Sequence, residues 1–231
     1  KILSARPIKK EYQNIKHHLY GFQDVKRNFS TGEWLKLVEK KIIFLKKKKK
    51  TPILVGGTGL YFKALTKGLI NIPKIPTRFR NKVRALHKKI GPEKFFYKLK
   101  KLDPLVIDKI NPTDTQRVIR AYEVALFTNK SIYNWFKQTK SKFLQKDFFK
   151  IYINFPRKEL LEKINLRVNE MIKRGVISEV QNFNKLNVRK DKSALKAIGI
   201  KEVNDYIHKK IGIEELVDKI SIKTRQYAKR Q

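Results

Sequence analysis

The chain has 231 residues, 41% of them hydrophobic and 11% aromatic, which is enough for a sizeable core and argues against wholesale disorder. It contains no cysteine, which excludes a disulfide framework and thiolate metal sites. No apolar run approaches the ~18 residues needed to span a bilayer, so a soluble, cytoplasmic protein without a membrane partner is expected. A formal net charge of +36 makes a polyanion the default partner, although the 43 Lys against 13 Arg, among many Ile and Asn, also fit the bias of an AT-rich genome.

Lys1-Ile-Leu-Ser4 reads as a strand entered midway, and Lys229-Arg-Gln231 ends in what reads as helix. Neither end carries a cap or stop signal and nothing near Lys1 resembles a signal peptide, so the sequence reads as an internal piece of a longer protein. Residues 17–29, with His17, His18, Leu19, Tyr20 and Phe22, form a loop over the core. Ser30-Thr-Gly-Glu33 is a capping box. The helix it opens carries Trp34, Leu35, Val38, Ile42 and Leu45 at helical spacing and ends in Lys46–Lys50, a solvated helix end or an RNA-tracking patch. Ile53-Leu-Val55 is uniformly apolar, as a strand buried on both faces of a parallel sheet would be. This helix–strand–turn–helix order is the grammar of an α/β domain.

Pro73 and Pro76 mark a boundary. From Thr77 to about Ile110 the pattern is helical and basic (Arg78, Arg80, Lys82, Arg84, Lys88, Lys89), interrupted at Gly91-Pro92 and Asp103-Pro104, and reads as a small helical insertion. Asn111-Pro-Thr-Asp114 caps a helix over Thr115–Phe127. Lys150–Phe155 alternates around Ile151 and Ile153 as a further strand. Arg157–Arg174 is an amphipathic helix with Leu161, Ile164, Val168 and Met171 inward, stopped by Gly175. Glu214–Gln231 is the last helix. The predicted fold is α/β, a P-loop-NTPase-like parallel sheet flanked by helices with a small all-helical insertion. Its parts are residues 1–72 (first part of the core), 73–113 (the insertion) and 114–231 (second part of the core with C-terminal helices).

The stretch Val55-Gly-Gly-Thr-Gly-Leu60 poses the chemical question. A Walker A loop needs Lys-Ser/Thr after its second glycine, which is lacking. A dinucleotide fingerprint starts at Gly57-Thr58-Gly59 but has Phe62 where its third glycine belongs. What remains is a glycine turn running into a helix N-terminus, with Thr58 as its one hydrogen-bonding side chain. That suits either contact with an anionic ligand or a tight structural turn.

"LVGGTGLYFKAL" closely resembles the strand–turn–helix of tRNA dimethylallyltransferases, and three further segments agree. Asp114-Thr-Gln-Arg-Val-Ile-Arg-Ala-Tyr-Glu123 is similar to the family's D-x-Q-R-x-x-R-A-x-E helix. Ala197-Ile-Gly-Ile-Lys-Glu202 is similar to its A-I-G-Y-K-E turn, with Ile200 replacing the usual aromatic. Thr224-Arg-Gln-Tyr-Ala-Lys-Arg-Gln231 resembles its T-R-Q-x-A-K-R-Q helix. The resemblance spans essentially the whole chain. It implies transfer of a dimethylallyl group from dimethylallyl diphosphate to N6 of the adenine 3′ of the anticodon, with Mg²⁺ as cofactor and the tRNA anticodon stem-loop as partner, by a monomer of bacterial or organellar type.

On the same footing, Thr58 is expected to be catalytic, and Gly56, Gly57 and Gly59 to line the diphosphate and prenyl channel. Arg80 matches an arginine that touches tRNA near the active site. Gln116 and Arg120 share a helix face with Arg117 beside it, suited either to contacts with bases and phosphates or to an ion-pair network with Glu123. Lys196, Lys201, Lys229, Arg230 and Gln231 lie beside a glycine turn or a helix end and are expected either as further contacts to the RNA backbone or as solvated surface groups. The four histidines show no ligand spacing, so no protein-bound metal is expected. The family's nucleotide-binding P-loop and its general-base aspartate precede the point matching Lys1, so residues 1–231 alone are expected to be inactive. Two other readings compete: an adenylate isopentenyltransferase, which the basic insertion disfavours, and a non-catalytic basic RNA-binding module, which leaves Gly56–Gly59 without a purpose.

Overall fold

The computed structural model describes residues 1–231 as ten α-helices joined by loops and short 3-10 turns. In chain order the helices are α1 (Thr31–Lys47), α2 (Gly59–Lys67), α3 (Thr77–Ile90), α4 (Pro92–Leu102), α5 (Thr115–Thr128), α6 (Ile132–Lys137), α7 (Arg157–Lys173), α8 (Val176–Lys185), α9 (Ile200–Ile207) and α10 (Ile213–Ala228). They fall into two compact units, one of Lys1–Gly59 with Lys150–Gln231 and one of Leu60–Phe149.

In the first unit, Ile164, Val168 and Met171 of α7 repeat at four- and three-residue steps and so fall on one stripe. They close a core with Val176 and Val180 of α8, Val203 of α9, and Leu216 and Ile220 of α10. Gly175 (φ 85°) takes the left-handed conformation that lets α7 stop and α8 start at once. α1 begins at the expected capping box: Ser30 Oγ accepts from Glu33 N at 3.2 Å, and Ser30 N donates to Glu33 Oε2 at 2.8 Å. Val38 and Ile42 are its buried residues on the predicted apolar stripe.

The second unit is built on α3, α4 and α5. Val83, Phe95, Leu99, Val118, Ala121, Tyr122 and Val124 form its core, with Val106, Ile110 and Ile132 around it. Phe95 is fully buried, its ring 4.7 Å from that of Tyr122. Pro92 at the start of α4 and the Asp103-Pro104 break lie where the sequence places them, and Asp114 accepts from Arg117 N at 3.1 Å to cap α5.

The expected parallel sheet is not there, since the structure contains no strand. Ile53-Leu-Val55 and Lys150–Phe155 are not strands, and residues 2–5 form a turn. Ile53 and Val55 are each 83% exposed, and Ile151, Tyr152 and Ile153 are 77%, 83% and 81% exposed. The physical reason is that a helix closes its hydrogen bonds within its own segment, whereas a strand must borrow a neighbour for every one. β-branched residues make a segment willing to extend, but here no second segment lies alongside to complete a ladder.

Candidate active site and nucleic-acid interface

Thr58 directly precedes α2, in a turn (Gly56–Gly59) whose residues are all exposed. A β-carbon on Gly59 would meet nothing within 4 Å, so its space is open. One on Gly57 would lie 2.5–2.6 Å from the carboxamide atoms of Gln231, because that side chain rests on the bare backbone there. Two of the four motifs, far apart in the sequence at Gly57 and Gln231, therefore meet within the first unit. Lys229 and Arg230 beside Gln231 are exposed, and Arg230 Nε donates to Gln226 O at 3.1 Å.

The Ala197–Glu202 turn is held by a buried carboxylate. Glu202 is 3% exposed, its Oε2 accepts from Gly199 N at 2.9 Å, and its Oε1 accepts from Lys223 Nζ of α10. Burial pushes the Glu202 carboxyl upward, but the Lys223 ammonium and the backbone donors outweigh it and hold it below the usual range. Gly199 has φ 101°, and the space beside its Cα is filled by Leu3 Cδ2. Lys196 precedes this turn and Lys201 lies within it, both with exposed side chains.

In the second unit, Arg80 of α3 and Arg120 of α5 converge on Glu123. Arg80 Nε lies 3.2 Å and Arg120 Nη1 3.3 Å from Glu123 Oε2. Arg117 is not part of this group: its Nε pairs with Asp114 Oδ2 at 3.3 Å, and its side chain is 76% exposed. Gln116 is exposed on the first turn of α5. Helical spacing thus foresees the shared face, while the convergence of Arg80 with Arg120 comes from the packing of α3 on α5. Arg84 also reaches Glu123, at 3.8 Å; in the sequence it is one basic residue of the insertion among several, and the signal for its place here is its position one helical turn after Arg80.

A concavity of about 650 Å³ in the first unit, lined by Ile177, Gln181, Tyr206, Lys210 and Glu215, contains none of the sequence-predicted residues. No helix is long and apolar enough to cross a membrane.

The family described as IPP transferase matches residues 1–231. Over its whole length the chain is 57% identical to a tRNA dimethylallyltransferase of Pelagibacter ubique, spanning 74% of that protein. It is 43% identical to the enzyme of the same name from Rickettsia massiliae, spanning 64% of it. Among solved structures, it resembles the tRNA isopentenylpyrophosphate transferase of Bacillus halodurans with 31% identity and a TM-score of 0.65, covering 100% of this chain and 71% of that one. It also resembles a eukaryotic dimethylallyltransferase acting on tRNA, with a TM-score of 0.83 over 99% of this chain and 58% of that one. At 23% identity, that last likeness is one of fold alone.

Proposed function

The chain belongs to the IPP transferase family and its chemistry is that of a tRNA prenyltransferase; from that premise we propose that it moves a dimethylallyl group from dimethylallyl diphosphate to N6 of the adenine 3′ of the anticodon. The observation that carries the division of labour is the open Gly56–Gly59 turn, with Thr58 at the entrance of α2 and the Gln231 carboxamide laid on Gly57.

In this reaction a bond forms between the adenine N6 and C1 of the prenyl group as the C1–oxygen bond breaks. The electron pair leaves with the diphosphate, and the amine gives up a proton to a general base, the role that the resemblance implies for the family's aspartate. Negative charge therefore grows on the diphosphate, and stabilising it is the main task of the site. The turn is suited to this. Glycines let phosphate oxygens approach the backbone, the first turn of α2 offers free N–H groups at its positive end, and the Thr58 hydroxyl donates to the oxygen that departs.

Gln116, Arg117 and Arg120 on α5, with Arg80 on α3, hold the RNA. Their guanidinium and amide groups match phosphates and base edges, and the reacting base must be drawn out of its stack. Residues 73–113 are the helical tRNA-binding part. Lys196, Lys201, Lys229 and Arg230 add backbone contacts, and the protein works as a cytoplasmic monomer. Magnesium is what the resemblance implies, and in this chain no three His, Asp or Glu side chains converge to hold it.

The test is Thr58→Ala in the full-length protein, followed by single-turnover transfer to anticodon stem-loop RNA. A fall of about tenfold or more with an unchanged melting temperature supports the donor role. An unchanged rate removes Thr58 from the chemistry.

A further inference from the structure

Glu123 is 1% exposed on a strongly basic face, and its oxygens meet guanidinium groups from two helices. Arg80 Nε and Arg120 Nη1 lie 3.2 and 3.3 Å from Oε2, and Arg84 Nε lies 3.8 Å from Oε1. Oε1 has no hydrogen-bond partner.

We propose that Glu123 is the positioning residue of a three-guanidinium clamp, formed by Arg80, Arg84 and Arg120, that grips the RNA phosphate backbone. The proposal rests on reading α3 and α5 as tRNA-contacting helices. It adds Arg84 to that surface and gives the buried acid a task.

The arrangement is poorly explained by stability alone. An acid and an arginine joined for strength adopt the bidentate fork, two parallel N–H···O bonds. None of these three arginines does: Arg80 and Arg120 each donate one hydrogen bond, both to Oε2, and Arg84 stands 3.8 Å from Oε1 without one. Each guanidinium has five N–H donors, so its outer edge stays available. One negative charge also faces three positive ones, which leaves the cluster short of anions by two. The layering has a direction as well. The carboxylate is 1% exposed, while the side chains of Arg80, Arg84 and Arg120 are 40%, 57% and 39% exposed. Positive charge is thus held at the surface by a negative charge beneath it. The guanidiniums repel one another until a further anion arrives, and a phosphodiester is such an anion.

Arg80 and Arg84 are one turn apart on α3, with Cβ atoms about 6 Å apart, so they offer two donors along one line. Arg120 adds a third from the neighbouring helix. Holding the three side chains in place beforehand lowers the ordering cost of binding.

The experiment is Glu123→Gln in the full-length protein, which keeps the size of the side chain and removes its charge. The expected result is a KM for anticodon stem-loop RNA raised about tenfold, with kcat at saturating RNA within about twofold of the parent. Glu123→Asp should recover part of the loss. A purely structural role would instead lower the melting temperature and the active fraction while leaving KM unchanged, and that result overturns the proposal.

Arg84→Gln, at an exposed position, supplies a readout independent of folding at Glu123. The slope of log Kd against log salt should fall by about 0.7–0.9, one phosphate contact. An unchanged slope overturns the three-arginine clamp, whatever Glu123→Gln does. Arg80→Ala with Arg120→Ala separates the two levels. If RNA affinity survives both, the RNA reading of this face is wrong. If it falls while Glu123→Gln has no effect, only the positioning role is lost.

Discussion

Replacing Glu202 by alanine should destabilise the first unit by about 2–3 kcal/mol, a figure that follows from what the carboxylate holds. Its Oε2 accepts from Gly199 N at 2.9 Å at the entrance of α9, a cap worth about 1 kcal/mol. Its Oε1 accepts from the Lys223 ammonium, and a hydrogen bond to a charged group is worth about 1.5–3 kcal/mol when buried. Lys223 is 46% exposed and can be rescued by water, so the lower end of that range applies.

Glu202→Gln keeps an acceptor for Gly199 N and should cost only about 1 kcal/mol. The assay is urea unfolding of the full-length protein with each variant, comparing midpoints at constant slope. The pH dependence has a definite sign. The folded-state carboxyl is held below its ordinary range, so its contribution is present above about pH 4.3 and is lost as pH falls through the lower folded value. The gap between the parent and Glu202→Gln should therefore close in acid. Two variants each within about 0.5 kcal/mol of the parent at neutral pH would refute the reasoning, because surface substitutions do no more than that.

Other consequences can be checked alongside it. Gly199→Ala should cost about 1–2 kcal/mol because φ 101° is a left-handed conformation, and the added methyl must also displace Leu3 Cδ2; thermal melts measure it. Phe95→Ala, at a fully buried position against Tyr122, should cost about 3–5 kcal/mol in the second unit, read by chemical denaturation. Ser30→Ala should cost about 1 kcal/mol by removing the acceptor for Glu33 N, again read from the melting temperature.

What could be read in the sequence was local. The Ser30–Glu33 box, the Gly175 stop and the Gly91-Pro92 break each depend on a few neighbouring residues and stand where expected, as do Ile164, Val168 and Met171 of the α7 stripe, whose fourth expected member, Leu161, lies outside the core. The sheet failed because Ile53–Val55 and Ile151–Ile153 carry strand composition but depend on a partner segment that composition cannot supply. The site shows the same division. Helical spacing puts Gln116 and Arg120 on one face. That Arg80 and Arg84 join Arg120 over one buried acid is a product of α3–α5 packing across 43 residues. Likewise, Gly57 could be recognised as a turn residue, but nothing near it announces that Gln231 would lie on it.

Acceptor choice tests the account most directly. Dimethylallyl transfer by the full-length protein should be measured with anticodon stem-loop RNA and with AMP in parallel, at equal concentrations. The expected result is modification of the RNA, with AMP a poorer acceptor by about a hundredfold or more, because AMP presents one phosphate where an arginine face binds several. Equal use of AMP, or modification of the RNA that survives loss of both Arg80 and Arg120 at limiting RNA, would contradict it.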